Sequence, residues 1–413
     1  MRPDVIRAVL LGACFAACGS AAPAAVPDSG GSGADAVALD TAASDGPVAG
    51  TGDAGGGLKM GDAIAFPLRP DFEWDLGKPG PRGVGYRSFS HTYVPAAGDP
   101  TRTIGVHLWY PATATTGEHP IYGQLWPSKV AVIDAGAAPP TVESGYPVLV
   151  YSHGYSGFAG SSPWLVEHFA SHGWVVIAPD HTGNMLADND TPKPTALWWW
   201  RARDVSAAVD FVQSLGAKAG LNGPPRFDKM LLSGHSFGGY TTLTLLGAEF
   251  DMDTLTAACK AGKGLGGACT EHDLAQYKAG LGDKRMVAAM LLMSGEGDAK
   301  WFGPAGLAAI TAPILLATGD ADGGHQGAPQ WKALKDIQNY SISLWVDVKK
   351  GCHQLFGLGL CDGVPVAEGD RIARTYTLAF ARRMLLGDYT EPTLHVLSGK
   401  TKVSELVSLQ TGQ

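Results

Sequence analysis

The chain has 413 residues, 45% of them hydrophobic, with a formal net charge of −8, which suits one large domain or two ordinary ones with ample core. No basic run is present to meet a phosphate backbone, so composition argues against nucleic acid as a partner. No apolar segment reaches the ~20 residues that a membrane-spanning helix needs.

Residues 1–18 read as a targeting segment. "MRPDVIR" is a short basic start, "AVLLGACFAA" an apolar core, and "CGS" follows. A cysteine after small residues at the end of such a core suits a bacterial lipoprotein signal, cleaved before a lipidated cysteine. Cleavage at Cys14 would leave a very short core, so Cys18 is the expected lipidation site. A plain secretory signal cut near Ala21 to Ala25 is the alternative, and both readings export the chain. Residues 19–62 are expected to form a disordered tether. Up to about Gly57 this stretch is almost entirely Ala, Gly, Ser, Asp, Pro and Thr, too apolar-poor to offset its ordering entropy.

Export gives meaning to the remaining cysteines, Cys259, Cys269, Cys352 and Cys361. Four cysteines allow three pairings. The sequence-local one, Cys259–Cys269 with Cys352–Cys361, is the simplest, each bridge closing a small loop.

A single catalytic domain is expected over residues 63–390. Its apolar runs of strand length are "GYRSFSHTYV", "RTIGVHLWYP", "YPVLVYSHG", "WVVIAPDH", "KMLLSGHS", "VAAMLLMSG", "PILLATGD" and "SISLWVDVK". The first two alternate and suit an antiparallel edge, whereas the later ones are continuous, as in strands buried on both faces of a parallel sheet. Helices are expected at Pro163 to His172, Ala196 to Leu215, Gly238 to Glu249, Gln330 to Tyr340 and Glu368 to Leu386. In the second, Val205, Ala208, Val209 and Val212 make one apolar face. The alternation predicts a mostly parallel eight-stranded sheet with helices on both faces. Residues 250–283, Gly-rich with two cysteines, read as an insertion forming a small lid or a surface loop. Residues 391–413 read as a C-terminal tail.

"GHSFG", Gly234 to Gly238, matches G-x-S-x-G between an apolar strand and a helix-forming run. That context marks a nucleophile elbow, a tight turn that exposes the serine hydroxyl above a sheet. Ser236 then needs a base, and the base an orienting carboxylate. In folds of this type both follow the serine on loops after later strands. "PILLATGDADGG" ends at Asp320 and Asp322. Asp322 is the preferred acid, since Asp320 can instead cap the turn. His353 directly follows the last strand, whereas His325 lies too close to the acid in sequence and His395 falls in the tail. An oxyanion hole needs two backbone N–H groups. One is expected from Phe237, after the nucleophile, and the other from Tyr155 in "YSHGYSG", where Gly154 leaves room for substrate.

The chain resembles α/β-hydrolases of the dienelactone-hydrolase-like and platelet-activating-factor-acetylhydrolase-like group. The matching pieces are "LWYPA", "VYSHGYSG", "HFASHGWVVIAPDHTGN", "GHSFGGY", "PILLATGDADG" and "GCHQLF", spread over Thr103 to Leu386. The resemblance implies the α/β-hydrolase fold, a Ser236–Asp322–His353 triad, and Tyr155 and Phe237 as oxyanion donors. True dienelactone hydrolases use a cysteine nucleophile, so Ser236 speaks against that activity. Some cutinase-like polyester hydrolases also carry a disulfide near the catalytic histidine, similar to Cys352–Cys361.

Two features invite other readings. Trp198 to Trp200 resemble a carbohydrate or polymer platform, but consecutive helical residues point in different directions, so core and rim packing is expected. Asp188 and Asp190 lack a calcium-loop pattern and suit a solvated turn. No metal and no cofactor are expected. The function expected is that of an exported serine hydrolase acting on carboxylic esters. Its alternatives are an amide or peptide hydrolase, and a catalytically silent cell-surface binding module of the same fold.

Overall fold

The computed structural model describes residues 75–188, 193–294, 300–323, 327–335 and 343–411. The signal segment with Cys18, the tether, Asp190 and His325 lie outside the described residues. No helix among the described residues is long and apolar enough to cross a membrane.

The strands are β1 (Gly83–Tyr93), β2 (Arg102–Ala112), β3 (Ile121–Tyr122), β4 (Trp126–Pro127), β5 (Ala131–Ile133), β6 (Tyr146–Ser152), β7 (Val175–Pro179), β8 (Pro225–His235), β9 (Met286–Leu292), β10 (Ile314–Gly319), β11 (Leu344–Val348) and β12 (Val407–Thr411). Ten of them form one sheet in the order β12-β11-β10-β9-β8-β6-β7-β2-β1-β5, and β3 and β4 form a separate hairpin. The six central strands from β7 to β11 run parallel. All eight expected strands are present. The sheet has ten rather than eight because β5 adds to β1 at one edge and β12 to β11 at the other. Both added strands are short, and "VSLQT" in β12 is largely solvent-facing, so neither makes the apolar run that reveals a central strand. Within the stretch read as a tail, residues 391–411 carry a helix and this edge strand. Helix α9 (Glu391–Leu397) buries Thr393 and Val396, and Asp388 accepts from the hydroxyls of Thr390 and Thr393, both at 2.6 Å.

The remaining helices are α1 (Pro163–Ser171), α2 (Leu197–Leu215), α3 (Phe237–Leu245), α4 (Met252–Lys260), α5 (Glu271–Ala279), α6 (Gly303–Ala308), α7 (Gly327–Lys335) and α8 (Val366–Leu385). Alternation along a strand divides the core in two. Leu149 and Tyr151 of β6 meet Trp164 and Phe169 of α1 and Tyr376 and Phe380 of α8 in one buried cluster. Val148 and Val150 join Val205, Ala208, Val209 and Val212 of α2 and Leu243 of α3 in the other. Covering both faces in this way leaves the central strands no polar side, which is why they read as unbroken apolar runs.

The insertion packs on the second face. A Cys259–Cys269 disulfide, with Cα atoms 5.0 Å apart, ties α4 to the segment before α5. Leu255, Leu265, Tyr277 and Leu281 are buried there. Asp273 accepts from Trp199 Nε1 at 2.8 Å and from Thr195 Oγ1 at 2.6 Å, fastening the insertion to the start of α2. Trp199 is fully buried, while Trp198 and Trp200 are half-buried, so the tryptophan triplet divides between core and rim. Asp188 caps its own turn, accepting from the Gly183 and Met185 N–H groups.

Buried histidines make the fold acid-sensitive. Burial, with Arg382 beside it, pulls His172 down to about 3. Burial and the nearby Arg201 pull His181 down to about 4. Unfolded, both titrate near ~6.5. Between those values the unfolded chain binds more protons than the native one, so stability rises with pH across that window and is fully present above it. Acidification from pH 7 to pH 4 is therefore expected to remove on the order of 5 kcal/mol. Melting temperature followed against pH checks this. A flat profile between pH 6.5 and 4 would contradict it.

Candidate active site

Topology brings the chosen residues to one end of the sheet. The chain leaves β6 for β7 on one side and then returns to β8 on the other, so the C-terminal ends of β6 and β8 flank the switch point where ligands of open α/β sheets bind. Register sets the spacing. Tyr151 pairs with Ser233 and Ser152 with Gly234, so the segment beginning at His153 runs beside the turn at Ser236. Gly319 pairs with Val348, which sets the loop carrying Asp322 alongside the one carrying His353.

Ser236 stands between β8 and α3 with φ 53° and ψ −120°, a backbone conformation that a non-glycine residue adopts at a cost of about 1–3 kcal/mol. The motif glycines follow from the crowding around it. A Cβ on Gly234 would lie 2.0 Å from the Gly238 carbonyl oxygen, and one on Gly238 2.0 Å from that of Ser152. Neither backbone atom has room to retreat, so the turn exists only with glycine at both positions. On the facing loop, a Cβ on Gly154 would come 3.2 Å from the Ser236 Cβ, which measures how closely the two segments approach.

His353 Nδ1 lies 2.7 Å from Asp322 Oδ2. A carboxylate only accepts, so the imidazole donates from Nδ1 and keeps its lone pair on Nε2. Asp322 is buried, whereas Asp320 is exposed and accepts from the Lys350 N–H, the turn-capping role that separates the two acids. Cys352 and Cys361 are joined in a disulfide with Cα atoms 5.6 Å apart. The loop they close is also fastened by Trp164 Nε1, which donates to the Gly357 carbonyl at 2.9 Å.

The Tyr155 N–H belongs to the same planar peptide as the Gly154 carbonyl. That carbonyl accepts from His153 Nδ1 at 2.7 Å and from the Gly157 N–H at 3.1 Å. His153 Nε2 in turn accepts from the His181 N–H at 3.0 Å, so its proton sits on Nδ1, and burial keeps the ring neutral by lowering its pKa far below the usual range. With the carbonyl held on one side, the Tyr155 N–H points to the other. Neither this group nor the Phe237 N–H donates to another described residue. The rings of Tyr155 and Phe237 lie 6.1 Å apart, and Trp198 stands 5.3 Å from Phe237, which makes an aromatic wall beside Ser236.

Sequence reasoning passed over His153 and His235. His235, buried inside the motif, donates from Nε2 to the His353 carbonyl at 2.9 Å and so ties the elbow to the His353 loop. The only sequence signal for either is position, one beside the motif serine and the other before Gly154.

Comparison with known proteins agrees with this architecture. A ferulic acid esterase from Streptomyces cinnamoneus superposes with a TM-score of 0.55 at 20% identity, covering 81% of this chain and 98% of that one. Its fold is shared, and the strand–elbow–helix at Ser236 is the mark of that fold. The chain has the α/β-hydrolase fold. A family model described as chlorophyllase matches residues 127–258 of this chain. Cutinase est2 of Thermobifida alba is 36% identical over 115 residues, 27% of this chain and 34% of that protein. Cutinase cut1 of Thermobifida fusca is 33% identical over 113 residues, 27% and 32% of the two chains. The chain thus spans about a third of the length of the curated relatives it matches.

Because Cys352 adjoins His353, the bridge to Cys361 should hold the imidazole in place. Replacing both cysteines by serine is expected to remove a little under ~3 kcal/mol of stability and to lower turnover several-fold. Melting temperature and ester kinetics measured side by side check both effects, and an unchanged pair of values would refute the idea.

Proposed function

We propose that this α/β-hydrolase cleaves carboxylic esters through an acyl-enzyme formed on Ser236. The observation that carries the reading is the convergence at one sheet end of a strained serine, a His353–Asp322 pair at 2.7 Å and two undirected backbone donors. Ser236 Oγ attacks the acyl carbon while His353 Nε2 takes its proton, and Asp322 stabilises the imidazolium that results. The Tyr155 and Phe237 N–H groups receive the negative charge developing on the carbonyl oxygen. Collapse of the tetrahedral species expels the alcohol, which takes the proton from His353. A water deprotonated by the same imidazole then releases the acid. The names of the similar proteins, cutinase and ferulic acid esterase, support an ester substrate, and the wall of Tyr155, Phe237 and Trp198 suits an apolar or aromatic group next to the scissile bond.

The two disulfides fit an extracellular protein. Export by the signal in residues 1–18, with a lipid on Cys18 and residues 19–62 as tether, belongs to the same proposal. Hydrolysis of p-nitrophenyl esters from acetate to palmitate tests the reaction class, together with mass-spectrometric localisation of a phosphonate label to Ser236. Folded protein that neither turns over an ester nor takes the label would favour a silent binding module. Turnover confined to anilides would favour an amidase.

A further inference from the structure

Arg201, in the first turns of α2, is wholly buried. A buried guanidinium is expensive unless paired, yet among the described residues no carboxylate forms an ion pair with it. Asp204, three residues along the same helix, is taken by Arg102 Nε at 2.6 Å, His181 Nδ1 at 2.9 Å and the Tyr93 hydroxyl at 2.6 Å. All the acceptors of Arg201 are neutral, and three of them belong to, or bond, the segments that carry the two proposed oxyanion donors. Nη2 donates to the His153 carbonyl and, at 3.2 Å, to Ser152 Oγ. Nη1 donates to Asn184 Oδ1 at 2.7 Å. Nε donates to Thr241 Oγ1 at 3.0 Å, and that hydroxyl donates onward to the Phe237 carbonyl at 3.3 Å. The guanidinium also lies 4.5 Å from the Phe237 ring centroid, within cation–π range.

We infer that Arg201 is a positioning residue that locks the His153–Tyr155 segment and Phe237 into one rigid unit, so that their two N–H groups converge on a single point. The inference rests on the reading of Ser236 as nucleophile and of those two N–H groups as oxyanion donors. The planar fork is what the role demands. It spans from the end of β6 to the start of α3 while stacking on an aromatic ring, and a lysine ammonium reaches one of those partners but not all. A hydrogen-bond chain supports it from behind. Because Asp204 fixes the proton of His181 on Nδ1, His181 Nε2 accepts from Ser152 Oγ at 2.9 Å, and the serine oxygen stays turned to Arg201.

The test compares wild type with Arg201→Lys, both corrected for active sites by phosphonate titration, on p-nitrophenyl butyrate. Misplaced oxyanion donors weaken the transition state but not the Michaelis complex, so kcat is expected to fall about 10²-fold with KM unchanged. Affinity for a trifluoromethyl ketone, which forms a tetrahedral oxyanion on Ser236, should fall in parallel. A residue that merely supports the fold would lower the titrated fraction and leave the kcat of the surviving sites intact. That outcome, or a folded Arg201→Lys with wild-type kcat, overturns the inference. If Arg201→Lys does not fold, Asn184→Ala decides. It keeps the guanidinium but frees one arm, and about a tenfold loss of kcat is expected, whereas wild-type kcat there is equally fatal. Wild-type protein that turns over no ester fails the hydrolase reading itself, a result distinct from an active wild type beside an unimpaired variant.

Discussion

Replacing Ser236 by alanine is expected to lower ester turnover about 10⁶-fold, as loss of a nucleophile does when the serine and its base act as a unit. Binding and the two N–H donors would survive, so KM should change little, and a residual rate about 10³-fold or more above that of water should remain. The melting temperature should stay put, because alanine meets the same backbone strain at φ 53°. Glycine at this position separates the two effects. It adopts positive φ freely, so Ser236→Gly should be as inactive as Ser236→Ala but about 1 kcal/mol more stable, the strain relief exceeding the extra entropy of the unfolded chain. Thermal denaturation of the two variants, with stopped assays on a short-acyl ester, reads both quantities. Substantial activity in Ser236→Ala would mean that another residue carries the chemistry.

The second large effect is expected for Asp322→Asn, a near-isosteric change that should lower kcat about 10⁴-fold while leaving the fold intact. The carboxylate accepts a hydrogen bond from His353 Nδ1–H at 2.7 Å and thereby leaves Nε2 free to act as base. An asparagine that presents its NH₂ to Nδ1 selects the opposite tautomer, with the proton on Nε2, where it cannot accept the serine proton. It also removes the negative charge that stabilises the imidazolium. Asp320→Asn is the matched control. Asp320 is exposed and, among the described residues, its carboxylate holds the Lys350 N–H; an asparagine oxygen still accepts there, so its kcat should lie within about twofold of wild type. Equal losses in the two variants would place the orienting acid elsewhere.

Much of the fold is legible in the chain because its strongest signals are local. The six parallel strands are sandwiched between helices, so each must be apolar on both sides, and that need writes itself into runs such as "PVLVYS" and "VAAMLL". The helix at Leu197–Leu215 is equally plain, since its buried face repeats at Val205, Ala208, Val209 and Val212. The edge strands β5 and β12 escape notice for the converse reason. They are short and partly exposed, and what stabilises them is a neighbour far away in sequence. The same division runs through the candidate site. G-x-S-x-G announces itself because its two glycines answer a clash within one turn.

What the sequence determined alone is therefore everything set by neighbours a few residues apart: the strand-to-helix turn at Ser236, the central strands, the main helices, and the order in which serine, acid and histidine follow one another. Tertiary structure decided what depends on groups from about thirty to more than a hundred residues apart. Asp322 and not Asp320 faces His353, because β10 and β11 pair in a register that buries one carboxylate and exposes the other. The His181 N–H fixes the tautomer with which His153 holds the Gly154 carbonyl, and His235 holds the loop of His353. Arg201, one of several charges on an amphipathic helix in the sequence, ends wholly buried between two loops. A buried polar group must find partners wherever the fold happens to place them, and no local pattern records where those partners will be.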